Sequence, residues 1–254
     1  MTSDPARSFL DRLREFRHRY TGVEGLYWGK RVNQPAGAVI ALLLLHTPVT
    51  PNMVSLAGLV VHVIATLTLS VSPVPVPVPV WIFMVVAWQF AFSLDCADGQ
   101  LARARRRTSA FGAFFDQTID VATHALLYSA LTIYAVRALA LEPLPGALLV
   151  AAVFSLSYLQ LYTAWGRNAI LGTEPAVRGE APSWLKILMR GKDLLDYGFY
   201  LFVAGLLLPW PVALLIFLIV ASAVLGLASL IQVGLNWQRF VTDSRAREAD
   251  SDRT

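Results

Sequence analysis

Residues 80–107 read VWIFMVVAWQFAFSLDCADGQLARARRR, an apolar run that ends in two aspartates and a group of arginines. A helix needs about 20 mainly apolar residues to span the hydrocarbon core of a bilayer, and this run meets that length. Acidic side chains in such a segment cost free energy, so they are by default candidate functional residues. The stretch therefore predicts a transmembrane helix that ends in a functional site.

The composition of the whole chain is that of a polytopic membrane protein. Of its 254 residues, 56% are hydrophobic and 15% are charged, whereas soluble domains are about 25% charged. The polar N-terminus lacks the apolar core of a signal peptide, so we expect none. The single cysteine, Cys96, excludes an internal disulfide and a multi-cysteine zinc site. We expect membrane lipids, and no nucleic acid, among its partners.

The predicted fold class is all-α, with six transmembrane helices preceded by an N-terminal interfacial amphipathic helix. The apolar run of residues 33–46 is too short to span at a rise of about 1.5 Å per residue, so it is predicted to lie on the membrane as that interfacial helix. The Pro-Val run of residues 72–81 cannot continue a helix and is predicted to be an extended connector. The six spans are predicted at about 53–71, 80–101, 110–136, 144–170, 193–209 and 211–234.

The basic residues support six spans. They lie before the first span, between the second and third, between the fourth and fifth, and after the sixth, whereas the opposite loops carry only Arg137. Because loops rich in Lys and Arg stay in the cytoplasm, both termini are predicted to be cytoplasmic. The predicted organisation is a cytoplasmic N-terminal segment (1–32), a membrane domain (33–236) and a polar cytoplasmic tail (237–254).

Four aspartates lie near the cytoplasmic ends of the second and third spans. Residues three or four positions apart share a helix face, so each span presents one pair, and the short turn between the spans brings the pairs together. Without bound cations, mutual repulsion and desolvation would make the free-energy cost of this cluster of carboxylates prohibitive. Oxygen ligands suit Mg²⁺, Mn²⁺ or Ca²⁺, and two magnesium ions would balance four charges and could hold a diphosphate. The predicted metal ligands are Asp95, Asp98, Asp116 and Asp120.

The residues around these aspartates suit a phosphate-bearing ligand. Gly99 would let a ligand approach the backbone, and Ala102 is small and lies on the same side of the helix. Arg103 offers a planar, charged fork that matches phosphate, and Gly112 permits close helix contact. The alternative for any single residue is a packing or pairing role. For the arginines at 105–107, the favoured interpretation is that they fix topology and meet anionic lipid headgroups.

The spacing of these residues resembles that of the CDP-alcohol phosphotransferase family, D-x2-D-G-x2-A-R-x8-G-x3-D-x3-D. Every position is present here, from Asp95 to Asp120. The segment TPNMVS (50–55) is also similar to the one that opens the first span of that family. The resemblance implies an integral membrane enzyme of phospholipid biosynthesis. Such an enzyme transfers a phosphatidyl-type group from a CDP-linked donor, such as CDP-diacylglycerol, to an alcohol, and CMP leaves.

The resemblance also implies roles for individual residues. Positions matching Asp95, Asp98 and Asp116 hold Mg²⁺ or Mn²⁺, and the position of Asp120 borders the metal site and acts as general base. We expect direct displacement at phosphorus, without a covalent enzyme intermediate. The family resemblance further suggests a homodimer, and the residue usage suggests a bacterial cell membrane. The expected CDP-binding residues are Asn52, Asp95, Gly99, Ala102, Arg103 and Gly112.

The acceptor alcohol is less defined. Family acceptors include inositol phosphate, glycerol phosphate, serine, choline and ethanolamine. The segment FGAFFDQTID (111–120) is most similar to bacterial phosphatidylinositol-phosphate synthases, although Val121 stands where those enzymes usually have Arg. Arg167 and His124 are candidate acceptor-binding residues. The alternatives are a topology signal or a pair with Glu174 for Arg167, and a packing role for His124.

Two other functions also place acids in membranes. An intramembrane prenyltransferase would need two Asp motifs far apart in sequence, whereas this chain has one compact set. A transporter would have acids spread along a pathway and helices broken near mid-membrane. Both alternatives remain open at the level of the sequence, and magnesium-dependent release of CMP would separate them from the favoured function.

Overall fold

The computed structural model describes residues 8–21, 27–171 and 197–251. Every regular element in these ranges is helical, so the all-α prediction is confirmed. A π-helical turn, Gly29–Asn33, leads directly into the second α-helix. The α-helices are α1 (Phe9–Tyr20), α2 (Gln34–Leu44), α3 (Pro51–Val71), α4 (Val78–Ala104), α5 (Ala110–Ala138), α6 (Pro143–Leu171), α7 (Tyr197–Leu207) and α8 (Pro211–Ser251).

Four of these helices are long and apolar enough to cross a membrane. They are α3, α4, α5 and the Pro211–Ile231 part of α8, and they match the first, second, third and sixth predicted spans. The apolar stretches at the predicted fourth and fifth spans, Pro143–Leu159 and Tyr197–Leu207, are shorter. Residues 193–196 of the predicted fifth span lie outside the described residues. Six spans therefore stay a prediction.

Local sequence signals explain where the central helices begin. The Thr50 hydroxyl accepts a hydrogen bond from the Met53 amide at 3.3 Å, which caps α3, and the Ser109 hydroxyl caps α5 in the same way. Pro51 follows Thr50 at the start of α3, a position that tolerates proline. The prolines before α4 prevent a continuous helix between α3 and α4. The Pro-Val run forms that break, although α4 begins at Val78, slightly earlier than predicted.

The main core is formed by buried residues of α3, α4, α5, α7 and α8. Within the bundle, α4 packs closely against α2, α3 and α7. Trp88 of α4 is fully buried, together with Tyr200 and Leu201 of α7. Two hydrogen bonds join the same helices, from the Gln89 side chain to the Gly198 carbonyl at 2.8 Å and from the Trp81 indole to the Gly205 carbonyl at 2.9 Å. These contacts hold α4, the helix of the first two aspartates, at the centre of the molecule.

The N-terminal region contains a helix that the sequence analysis did not predict. The chain predicted as a cytoplasmic segment forms α1, whose Phe16 is fully buried in a cluster with Ala38 and Ala41 of α2 and with Leu101 of α4. The helix α2 lies within the predicted interfacial range of residues 33–46. Its position relative to a membrane stays a prediction, but its small residues pack against α4.

The last helix is longer than the sixth predicted span. The sequence placed the end of that span at residue 234, whereas α8 continues to Ser251 through most of the predicted polar tail. Because charged residues are compatible with helix once the chain has left an apolar environment, hydropathy marks the end of a span and not the end of its helix.

Candidate active site

Three carboxylates converge between α4 and α5. Asp95 and Asp98 lie one turn apart on α4, and Asp116 lies near the start of α5. Each offers one ligand atom, and these atoms all lie within 4.8 Å of one another. Oxygen ligands bind Mg²⁺ or Ca²⁺ at about 2.0–2.6 Å, so a single ion can bridge atoms at such separations. The predicted convergence is confirmed for these three aspartates.

A cavity of about 160 Å³ opens beside this group, between the first turns of α3 and α5 and the last turns of α4. Asp98 and Asp116 form part of its wall. Five of the residues predicted to bind CDP also line it: Asn52, Gly99, Ala102, Arg103 and Gly112. The structure thus brings together Asn52 and Asp116, which are 64 positions apart in the chain.

Ser55 is a site residue that the sequence analysis did not single out. Its hydroxyl donates a hydrogen bond to the Asp98 carboxylate, which is only 5% exposed. The bond fixes the orientation of a carboxylate that would otherwise be buried with little compensation. The available signal was spacing, because Ser55 lies three residues after Asn52 and therefore on the same face of α3.

Arg103 lies over Gly99 and is held by the N-terminal helix. Its Nε donates a hydrogen bond of 3.0 Å to the carbonyl of Tyr20, the last residue of α1. A Cβ placed on Gly99 would lie 3.2 Å from Nη1 of Arg103. The space beside Gly99, which we expected a ligand to use, is therefore shared with the guanidinium of Arg103.

Gly112, in the first turn of α5, faces Asn52 of α3. A Cβ at this position would be 3.2 Å from the Ser109 hydroxyl and 3.7 Å from the Asn52 side-chain oxygen. The absence of a side chain keeps open the gap between Asn52 and the first turn of α5. This gap forms one end of the cavity.

The sequence matches the family model for CDP-alcohol phosphatidyltransferases over residues 48–238, which is more than half of the chain. The chain belongs to this family. It is therefore a transferase of phospholipid biosynthesis and, with its four long apolar helices, an integral membrane protein. No curated protein sequence matches it significantly.

Solved structures of phosphatidylinositol phosphate synthase from Mycobacterium tuberculosis have the same fold. The form with CDP-DAG bound is 22% identical, with a TM-score of 0.54 over 82% of this chain and 94% of that chain. The apo form is 21% identical, with a TM-score of 0.54 over 78% and 95%. The complex with manganese and citrate is 21% identical, with a TM-score of 0.53 over 79% and 88%.

The fourth aspartate of this CDP-alcohol phosphatidyltransferase lies near Asp95, but outside the group of three. Asp120 lines a second, smaller cavity together with Asp95, and does not belong to the group whose ligand atoms are within 4.8 Å. His62, which is 2% exposed, lines the same cavity, and its Nε2 has no hydrogen-bond partner within the described part of the chain. The metal-binding and base roles of Asp120 stay predictions.

Of the two candidate acceptor-binding residues, His124 has a described side chain and Arg167 does not. His124 donates a hydrogen bond of 2.7 Å from Nδ1 to the Asp120 carbonyl, and its ring stacks on Tyr197 at 3.8 Å between centroids. These contacts favour the packing role. The side chain of Arg167, near the end of α6, lies outside the described residues, as does Glu174.

Proposed function

We propose that the protein transfers a phosphatidyl-type group from a CDP-linked lipid donor, such as CDP-diacylglycerol, to the hydroxyl of a small polar alcohol, with release of CMP. The observation that carries this proposal is the convergence of Asp95, Asp98 and Asp116 beside a cavity lined by motif residues. The CDP-DAG bound to the structurally similar synthase is consistent with this choice of donor.

The three carboxylates fit Mg²⁺ or Mn²⁺. The donor set consists only of oxygens, and the Ser55 hydroxyl orients one of them, as is common for ligands of hard cations. We propose two ions held by Asp95, Asp98 and Asp116, with Asp120 at the border of the site. When bound, such ions neutralise the charge of a diphosphate and of the departing phosphate. The similar synthase has been solved with manganese.

The walls of the cavity supply the remaining contacts to the donor. Arg103 presents Nη1 and Nη2 as charged donors for phosphate oxygens, while its Nε stays bonded to Tyr20. Asn52, Gly99, Ala102 and Gly112 line the cavity in which the cytidine diphosphate would lie. Asp95 is proposed to contact the donor from the neighbouring group of aspartates. Small residues at three of these positions leave the backbone open to close approach.

Asp120 is proposed as the general base. It would accept the proton of the acceptor hydroxyl while the oxygen attacks the phosphorus that carries the lipid. The new oxygen–phosphorus bond forms as the bond to CMP breaks, and the bonding electrons leave with CMP. This single displacement needs no covalent enzyme intermediate, so the configuration at phosphorus should invert.

The acceptor that we favour is inositol phosphate. The support is the similarity of residues 111–120 to bacterial phosphatidylinositol-phosphate synthases and the common fold with one of them. Arg167 is the candidate contact for an acceptor phosphate, and His124 is the second candidate. Glycerol phosphate, serine and amino alcohols are the alternatives, because Val121 departs from the usual synthase sequence.

The proposed setting is a bacterial cell membrane, with six spans, an interfacial helix at 33–46, and both termini and the site on the cytoplasmic side. The distribution of Lys and Arg supports this orientation. A homodimer is the proposed assembly, on the basis of the family resemblance. Family membership argues against the prenyltransferase and transporter alternatives.

The test is an assay of CMP release by the purified protein. CDP-diacylglycerol is supplied with Mg²⁺ or Mn²⁺ and a panel of alcohols that includes inositol phosphate, glycerol phosphate and serine. We expect CMP release that requires both the metal and one acceptor, and that stops when EDTA removes the metal. No release with any member of the panel would refute the proposal.

A further inference from the structure

Arg105 makes contacts that neither its charge nor its place in the motif predicts. It is the C-cap residue of α4, and its half-buried guanidinium lies against the connection between α2 and α3. It donates to the carbonyl of Leu45 at 3.1 Å and to that of Thr47 at 2.9 Å. It also donates to the carbonyls of Leu44 and Val49. The lipid-headgroup role expected from the sequence does not account for these contacts.

The physical reason for this arrangement is the end of α2. The last carbonyls of a helix lack partners within the helix and carry a partial negative charge. The Leu44 carbonyl accepts from the Thr47 amide at 2.9 Å and from the Thr47 hydroxyl at 2.8 Å. The guanidinium adds a charged donor to this carbonyl and to three carbonyls of the non-helical residues that follow. Its planar fork has five N–H donors, so it can serve four acceptors at once, which an ammonium group cannot do over the same span.

These bonds connect the two walls of the candidate active site. Arg105 follows Arg103 by two residues at the end of α4, the helix that carries Asp98 and Gly99. Val49 directly precedes Thr50, the N-cap of α3, and the first turns of α3 carry Asn52 and Ser55. Because the cap residue is adjacent to a carbonyl that Arg105 binds, the guanidinium fixes where α3 begins relative to α4.

We propose that Arg105 is a positioning residue for the donor site. It holds the α2–α3 connection against the end of α4 and thereby keeps Asn52 and Ser55 at the right distance from Asp98 for the cytidine diphosphate to bind between them. The inference rests on the proposed function, since it concerns the donor of the same reaction. The proposal also makes residues 44–49 part of the donor site, although the match to the family model begins only at residue 48.

The test compares Arg105→Ala with Arg106→Ala in the full chain. Both changes remove one arginine charge from the same turn, and the Arg106 side chain is exposed. We expect the KM for CDP-diacylglycerol to rise at least about tenfold in Arg105→Ala, while kcat and the KM for the acceptor change little. Arg105→Lys should be intermediate. A merely structural role would instead lower kcat through a smaller folded fraction and leave KM unchanged.

The result that overturns the proposal is a donor KM in Arg105→Ala equal to that of Arg106→Ala. If Arg105→Ala does not accumulate as folded protein, Arg105→Lys and Arg105→Gln are compared with Arg106→Ala in the same assay, and wild-type donor KM values in both overturn the proposal. Titration of each variant with CDP and Mn²⁺ checks the binding step separately from catalysis.

A second measurement keeps this inference distinct from the proposed function. Spin labels at His46→Cys and Phe111→Cys, in a Cys96→Ala background, report the distance between the α2–α3 connection and the start of α5. We expect a broader distance distribution with Arg105→Ala than with Arg106→Ala. Equal distance distributions in the two variants refute the positioning role of Arg105. Failure of the wild-type protein to use or bind any cytidine nucleotide refutes the proposed function alone.

Discussion

Ser55 and Asp98 are 43 residues apart in the chain, and they share a buried hydrogen bond between α3 and α4. A carboxylate with a fixed orientation presents a defined oxygen to a cation, and partners of this kind contribute substantially to metal affinity. The structure therefore assigns Ser55 to the site at the same level as the motif residues. The predicted metal ligands could be recognised from their local spacing alone, because residues three apart share a helix face.

Ser55→Ala should weaken Mn²⁺ binding by about 10-fold to 100-fold, because the Asp98 carboxylate loses its orienting donor. The measurement is titration of purified protein with Mn²⁺, followed by electron paramagnetic resonance of the free ion. Ser70→Ala is the matched control, since Ser70 lies on the same helix and its hydroxyl bonds only to the Thr66 carbonyl within the described residues. Equal Mn²⁺ affinity in the two variants would contradict the prediction.

Asp120→Asn should abolish turnover and keep donor binding. The amide cannot accept the proton of the acceptor hydroxyl, yet Asp120 lies outside the group of three aspartates within 4.8 Å. CMP release and CDP titration in the presence of Mn²⁺ measure the two properties. Asp98→Asn is the informative comparison, because it should impair both. Full activity in Asp120→Asn would exclude the base assignment.

At the scale of elements, α2 and α4 approach so closely that one position admits only glycine. A Cβ on Gly37 would lie 2.9 Å from Cβ of Cys96 and 3.0 Å from both the Ala97 amide nitrogen and the Ser93 carbonyl oxygen. Two of these atoms belong to the backbone of α4, so rotation of a side chain cannot relieve the contact. Hydropathy alone predicted α2 as a surface helix and gave no sign of this packing.

Gly37→Ala should therefore lower the stability of the protein by about 1–3 kcal/mol, as overpacking typically does. Gly234→Ala is the control, because a Cβ at Gly234 meets nothing within 4 Å. That control should be neutral or stabilising by up to about 1 kcal/mol, since alanine favours helix. Thermal unfolding in detergent measures both. A Gly37→Ala protein as stable as the control would show that the two helices can separate without cost.

At the scale of the whole molecule, the candidate site and the Pro-Val connection lie at opposite ends of α4. This helix has 27 residues and is thus about 40 Å long, enough to cross a bilayer. The arginines follow its C-terminal end, next to the cavity, and the apolar connection precedes its N-terminal end. The charge distribution therefore predicts that the site faces the cytoplasm.

Single cysteines on the two sides of α4 test this orientation. In a Cys96→Ala background, Val74→Cys should react with a membrane-impermeant maleimide in intact cells, and Arg106→Cys should not. Inside-out vesicles should show the reverse pattern. The opposite result in both preparations would place the site outside the cytoplasm and refute the predicted topology.

The sequence by itself determined the three central helices α3, α4 and α5 and the chemistry of the motif. Apolar run length, prolines and capping residues are local properties, so α3, α4 and α5 could be placed closely, as could the aspartates on their faces. The polar N-terminal segment was different. Its helix α1 has local signals, such as the Ser8 N-cap and the Glu15–Arg19 ion pair, but hydropathy did not show that Phe16 is buried against α2 and α4.

Only the tertiary structure decided how these helices meet. It left Asp120 outside the group of three aspartates within 4.8 Å, brought Ser55 to Asp98, and placed Arg105 on carbonyls 56 to 61 residues earlier in the chain. Such contacts depend on the distance and rotation of packed helices, which small residues such as Gly37 set through contacts between backbones. The identity of the ligands is thus local information, and their arrangement in space is a property of the packed molecule.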